Sequence, residues 1–182
     1  MTKDEIEFTK SWWFQVCRDD EKFSRWIKKL QVTEIGGYDD HINFLASEMD
    51  FVSERDRKIL INIAEDEKKH SGILLELMED RKISPSILGP ETTSSYWSYM
   101  NQQYATLPQY AAVNHFGEAL AADRFEIILD HPKTPSDVVQ AIRLILPDEV
   151  FHRETLQRMA GEEALMHMKL HHDFAFYKLI RK

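Results

Sequence analysis

Apolar side chains recur every three to four residues over long stretches of this chain, the spacing of one face of an α-helix. Residues 3–19 form the first such stretch. Thr2 or Thr9 can cap it, and Phe8, Trp12, Trp13 and Val16 supply an aromatic packing face. Residues 21–49 carry Phe23, Ile27, Leu30, Glu34, Tyr38, His41 and Leu45 on one stripe. A turn over 50–53 follows, with Ser53 as the N-cap of a helix over 54–82. That helix has Leu60, Ile63, Glu67, His70 and Leu74 in line. Residues 83–91 read as a loop that begins a long crossover. Residues 92–107, rich in Tyr, Trp, Ser and Gln, have room for a short helix. A third long helix spans 108–130, with Pro108 tolerated in its first turn and Ala111, His115, Glu118, Ala122, Phe125 and Leu129 on its stripe. A tight connection over 131–136 leads to a fourth, 136–160, with Ile142, Ile145, Glu149, His152 and Leu156 aligned. Pro147 is expected to kink it, and Gly161 to end it. A last helix covers 162–180. Its His167, His171 and His172 read as a packed or solvated cluster rather than a second metal site, because no carboxylate pattern accompanies them. Most of the six prolines fall between these stretches, so few breaks interrupt them and an all-α fold is predicted.

The stripes are interrupted by carboxylates. Glu34, Glu67, Glu118 and Glu149 each fall on an apolar face, where an unpaired carboxylate is costly and must be protonated, paired or metal-bound. Two of them belong to a repeated motif: Asp66-Glu67-Lys68-Lys69-His70 and Asp148-Glu149-Val150-Phe151-His152 are both Asp-Glu-x-x-His. On a helix, Glu and His three residues apart project from one face and can reach one ion. With 17 Glu and 8 His in 182 residues, chance alone supplies about one Glu-x-x-His, so a single match means little. The context is more specific. Glu34 precedes Glu67 by 33 residues, and Glu118 precedes Glu149 by 31. Each half therefore reads as a long helix, a connection, and a second long helix bearing the motif.

Charge and ligand chemistry sharpen this. Four carboxylates bring a charge of −4, which two divalent cations offset while His70 and His152 stay neutral. Oxygen and imidazole donors without thiolate suit iron or manganese, with zinc an adventitious occupant. Asp66 and Asp148 are placed to accept a hydrogen bond from a ligand imidazole and fix its tautomer. The pairings expected are Asp66 with His152 and Asp148 with His70; a solvated Asp is the alternative. Gly36-Gly37, just after Glu34, signals either close helix contact or open space beside a metal. The net charge of −8 argues against nucleic acid and anionic membrane as partners, and no apolar run reaches the ~18 residues of a membrane span. Cys17 is the only cysteine, which excludes an intrachain disulfide and any four-cysteine metal site. With an acidic, polar start unlike a signal peptide, a cytoplasmic protein of one domain, 1–182, is expected.

The ordered set Glu34, Glu67-x-x-His70, Glu118, Glu149-x-x-His152 resembles that of the ferritin-like di-iron carboxylate superfamily, most closely the rubrerythrin group, over roughly residues 22–160. The resemblance implies a ferritin-like four-helix bundle with a long crossover, here with extra N- and C-terminal helices. It implies two Fe ions (or Mn, or mixed Fe/Mn) and an oxidoreductase that reacts with peroxide or O2. Alternatives are a ferroxidase or iron-storage protein, and a di-iron oxygenase acting on a small organic substrate. The rubredoxin module of familiar rubrerythrins is missing, so electrons would come from an external donor protein. Those proteins carry a further Glu one turn after the third-helix ligand, where this chain has Ala121. His115, one turn before Glu118, is instead a candidate ligand, with a supporting or packing role as the alternatives. Tyr38, one turn after Glu34, is a candidate redox-active or hydrogen-bonding residue, with core packing as the alternative. The expected assembly is a monomer or a homodimer.

Overall fold

The computed structural model describes residues 1, 3–47, 51–85 and 95–180. Among these, the regular elements are all α-helices: α1 (Lys3–Val16), α2 (Asp20–Ser47), α3 (Glu54–Asp80), α4 (Ser95–Met100), α5 (Leu107–Asp130) and α6 (Ser136–Ile180). The all-α class read from periodicity is thus the observed one. Thr2 as a cap, the last residues of the 21–49 helix, and much of the 83–91 loop lie outside the described residues. No described helix is long and apolar enough to cross a membrane. Packing divides the chain into two compact units, Asp19–Thr93, and Met1–Arg18 with Ser94–Lys182.

The unit Asp19–Thr93 is built on α2 and α3. The Asp19 side chain accepts from the backbone N–H groups of Glu21 and Lys22, both at 3.0 Å, and so caps α2. This cap also explains why the first helix stops at Val16 rather than at 19. An N-cap needs extended backbone, so a helix cannot run through it. Ser53 caps α3 as predicted, its hydroxyl accepting from Asp56 N–H at 3.1 Å. Cross-helix partners pair in opposite order along the two helices. Arg81 stacks its guanidinium over Phe23, Ser71 bonds Gln31, and Lys68 lies over Tyr38. The two helices are therefore antiparallel. Phe23, Ile27, Leu60, Ile63 and Leu74 are buried along the seam.

In the other unit, α5 and α6 pack together, and α4 lies against α6. Thr106 caps α5, with Pro108 in the first turn where no intrahelical donor is needed. α1 runs beside α5 in the same direction. The Met1 ammonium meets Asp123 at 2.9 Å, and Trp13 Nε1 donates to Thr134 Oγ1 at 2.7 Å. Two expectations for α1 are corrected. Phe8 is 40% exposed, and Thr9, inside the helix rather than capping it, is buried in line with Trp13 and Val16. The apolar face is rotated by one residue because Trp13, the largest fully buried side chain, fixes which side points inward. Helical backbone continues through Pro147, whereas Gly161 (φ 70°, ψ 168°) breaks α6 between arms 136–160 and 162–180. This is a left-handed φ that only glycine adopts without strain, so the break falls where the sequence placed a helix end.

Candidate functional site

In the unit Asp19–Thr93, α2 presents Glu34 and α3 presents Glu67 and His70. All three are buried, His70 completely. Each offers a ligand atom within 4.8 Å of the other two, and His70 Nδ1 stands 3.4 Å from Glu34 Oε2. The Glu-x-x-His spacing puts both α3 donors on the face that carries Ile63 and Leu74, so the folding that buries the seam also buries the donors. Next to His70, Gln31 Nε2 donates to Ser71 Oγ at 2.9 Å in a buried bond that pins the register of α2 against α3. Gly37 sits directly opposite Glu67: a Cβ there would come 3.2 Å from its Cγ and 3.3 Å from its Oε2. Gly36 has nothing within 4 Å of such a position. The two glycines thus differ, and Gly37 is the one that makes space for the carboxylate.

The second unit repeats the arrangement. α5 presents Glu118, and α6 presents Glu149 and His152. Glu149 and His152 are buried, and the Glu118 side chain is 12% exposed. Their ligand atoms also lie within 4.8 Å of one another, with His152 Nδ1 at 4.0 Å from Glu118 Oε2. All six ligands expected from the sequence therefore fall into two triads of like composition, two carboxylates and one imidazole in each.

Such a triad suits a divalent cation. Nitrogen and oxygen donors bind first-row ions at ~2.0–2.2 Å, which places the donors of one ion within roughly 4 Å of one another. Two carboxylates and a neutral imidazole match the charge of one divalent ion. The hard and borderline donors favour iron, manganese or zinc over ions that seek thiolate.

The supporting residues are placed as follows. His115 Nδ1 lies 2.8 Å from the carbonyl of Arg153, the residue after His152. A carbonyl only accepts, so Nδ1 carries the proton and Nε2 holds the lone pair. Burial pushes the His115 pKa down, against the hydrogen bond to Arg153, which raises it; the Arg153 charge lowers it further. His115 is not among the donor groups that lie within 4.8 Å. Tyr38 is half-buried under the Lys68 ammonium, 5.2 Å from its ring centre. Asp66 and Asp148 are half-buried beside Glu67 and Glu149.

Next to Glu118, Gly117 faces no open space. The Trp97 indole of α4 lies against it, and a Cβ on Gly117 would come 2.6 Å from Trp97 Cζ2. Of the C-terminal histidines, His167 is exposed, whereas His171 and His172 are packed and hydrogen-bonded: Tyr96 Oη pairs with His172 Nδ1 at 2.8 Å, and Tyr99 Oη with His171 Nδ1 at 2.9 Å. Sequence reasoning assigned no chemistry to 92–107 because these partners lie more than 70 residues away, beyond any local pattern. No protein-family model matches the chain, and neither does any curated protein or solved structure.

Proposed function

We propose that this protein is a dinuclear non-haem iron or manganese oxidoreductase of the ferritin-like, rubrerythrin-related kind, which reduces peroxide or O2. The observation that carries the reading is the duplicate triad: Glu34, Glu67 and His70 in one unit, and Glu118, Glu149 and His152 in the other, drawn from the same motif in each half. Buried carboxylates that share a site repel, and a cation is what makes two such triads affordable in one chain. Each triad binds one ion. When bound, the ions supply the paired electrons that O2 or peroxide reduction needs.

The chain's own groups then divide the remaining work. The four carboxylates and two imidazoles bind and orient the ions. Asp66 and Asp148 accept a hydrogen bond from ligand imidazole N–H groups and so hold the tautomer that binds metal. His115 keeps its proton on Nδ1 through the Arg153 carbonyl and offers Nε2 to take up a proton during turnover. With Cys17 as the only cysteine, reducing equivalents come from a separate donor protein, and a reducing compartment such as the cytoplasm suits the chain.

Elemental analysis of protein purified from its own host tests the reading. The expected result is close to two iron or manganese ions per chain, with peroxide consumption, and loss of at least one ion in Glu67→Ala. Wild-type protein that carries no transition metal and takes none up from Fe(II) or Mn(II) overturns it. A very large particle in solution would redirect it to iron storage.

A further inference from the structure

Outside the triads, the unit formed by Met1–Arg18 and Ser94–Lys182 holds a second ordered group of reactive side chains. The short helix α4 places Tyr96 and Tyr99 one turn apart, and the 162–180 arm of α6 places His171 and His172 side by side. Two phenol–imidazole hydrogen bonds join them, Tyr96 to His172 and Tyr99 to His171. The pairs differ in depth. Tyr96 is 2% exposed, whereas Tyr99 is half-buried and its partner His171 stands against the exposed His167. The His172 ring stacks with Phe116, at 4.7 Å, and with Phe176, at 6.0 Å. Phe116 lies on α5 two residues before Glu118, and the neighbouring Trp97 packs on Gly117. One continuous aromatic path therefore runs from the helix that carries a triad ligand to the outside of the C-terminal arm.

The electrostatics suit proton-coupled oxidation. Burial pushes the Tyr96 phenol well up, with the Arg124 charge opposing in part, so it stays protonated at any neutral pH. Burial also pushes His172 down. Asp173 and Glu5 pull it up, while Lys169 and His115 lower it further. The net effect favours a neutral imidazole, and in its Nε2–H tautomer the Nδ1 lone pair accepts from the Tyr96 O–H at 2.8 Å. A phenol whose proton cannot reach water gives up an electron only if a base takes the proton in the same event. Here the base is already in hydrogen-bond contact.

We propose that the Tyr96–His172 and Tyr99–His171 pairs form a relay that carries single electrons from an external one-electron donor to the triad of Glu118, Glu149 and His152. With an oxidised ion held by Glu118, Glu149 and His152, Tyr96 would give up one electron to it and its phenolic proton to His172 Nδ1, leaving a neutral tyrosyl radical beside an imidazolium. Tyr99 returns an electron to Tyr96, His172 returns the proton, and the Tyr99 proton moves to His171. The donor's electron and the proton on His171 then restore Tyr99. Net transfer is one electron from donor to metal, with both protons back on their phenols. The relay rests on the metal reading for its oxidant alone.

The test therefore uses an outside oxidant. Photogenerated tris-bipyridyl ruthenium(III) is applied to the protein as purified, with transient absorption and electron paramagnetic resonance as readouts. The expected result is a neutral tyrosyl radical on Tyr96, whose signature is lost in Tyr96→Phe, where the radical stays on Tyr99, and which forms several-fold more slowly in Tyr99→Phe and in D2O. A fluorinated tyrosine at position 96, which preserves the packing, must alter the hyperfine pattern. An unaltered pattern with fluorinated residue 96, or wild-type kinetics in Tyr99→Phe, overturns the relay. Neither outcome depends on metal content, so failure here is distinct from failure of the metal reading.

Discussion

Gly37 and Gly36 are adjacent, identical and helical, yet only Gly37 lies against Glu67. From the sequence, the pair stood for either close packing or space beside a metal. At Gly37 the structure shows close contact, with Glu67 of the neighbouring helix directly opposite, and it leaves Gly36 without a neighbour in reach. A residue's facing on a helix is set by the exact rotation of its face, which a stripe of apolar residues fixes only to within about one position. Gly37→Ala is therefore expected to displace the Glu67 carboxylate by a few tenths of an ångström while the helix gains a better former. Metal affinity should fall by ~10-fold, in the range seen when groups that orient metal ligands are altered. Gly36→Ala should leave affinity unchanged. Calorimetric metal titration of the two variants checks this, and equal behaviour of both would contradict the assignment.

Among the elements, α6 shows what punctuation in a sequence can and cannot convey. The sequence predicts a kink at Pro147 and an end at Gly161; helical backbone continues through Pro147, and the break in φ/ψ falls at Gly161. A proline deletes one hydrogen bond and crowds one turn, which a well-packed helix can absorb. A glycine at φ 70°, ψ 168° cannot be mimicked by an L-residue. Gly161→Ala is accordingly expected to destabilise the protein by ~1–3 kcal/mol, read as a lower midpoint in thermal or denaturant unfolding. The ligand helices were legible because each carries a buried stripe with its own polar interruption. The docking of α4 was not, since Tyr96, Trp97 and Tyr99 find their partners in α5 and α6, and no periodicity within six residues can announce that.

At the scale of the whole molecule, stability should depend on pH in a direction the buried imidazoles fix. His115 and His172 both have lowered pKa values, chiefly from burial, so the folded state binds fewer protons than the unfolded chain just below the ordinary histidine value. Stability rises with pH wherever the unfolded state binds more protons. Their contribution is thus full above about pH 6.5 and is lost as pH falls through the lowered folded values. Thermal unfolding followed from neutral to mildly acidic pH should show this decline, and it should be shallower in His172→Gln. The fold class and the six candidate ligands were open to sequence reading because helical periodicity and Glu-x-x-His are local signals. The separation into two compact units was not, because it depends on which helices choose one another.

That separation shapes the order in which the chain can mature. Asp19–Thr93 is one uninterrupted segment, whereas the other unit takes its first helix from one end of the chain and the remainder from beyond residue 93. As synthesis proceeds, α2 and α3 meet as soon as both have left the ribosome. α1 is made well before its anchors, which lie 122 and 121 residues downstream, Asp123 for Met1 and Thr134 for Trp13. α1 is thus secured late, and until then its tryptophan-bearing face stays uncovered on the nascent chain.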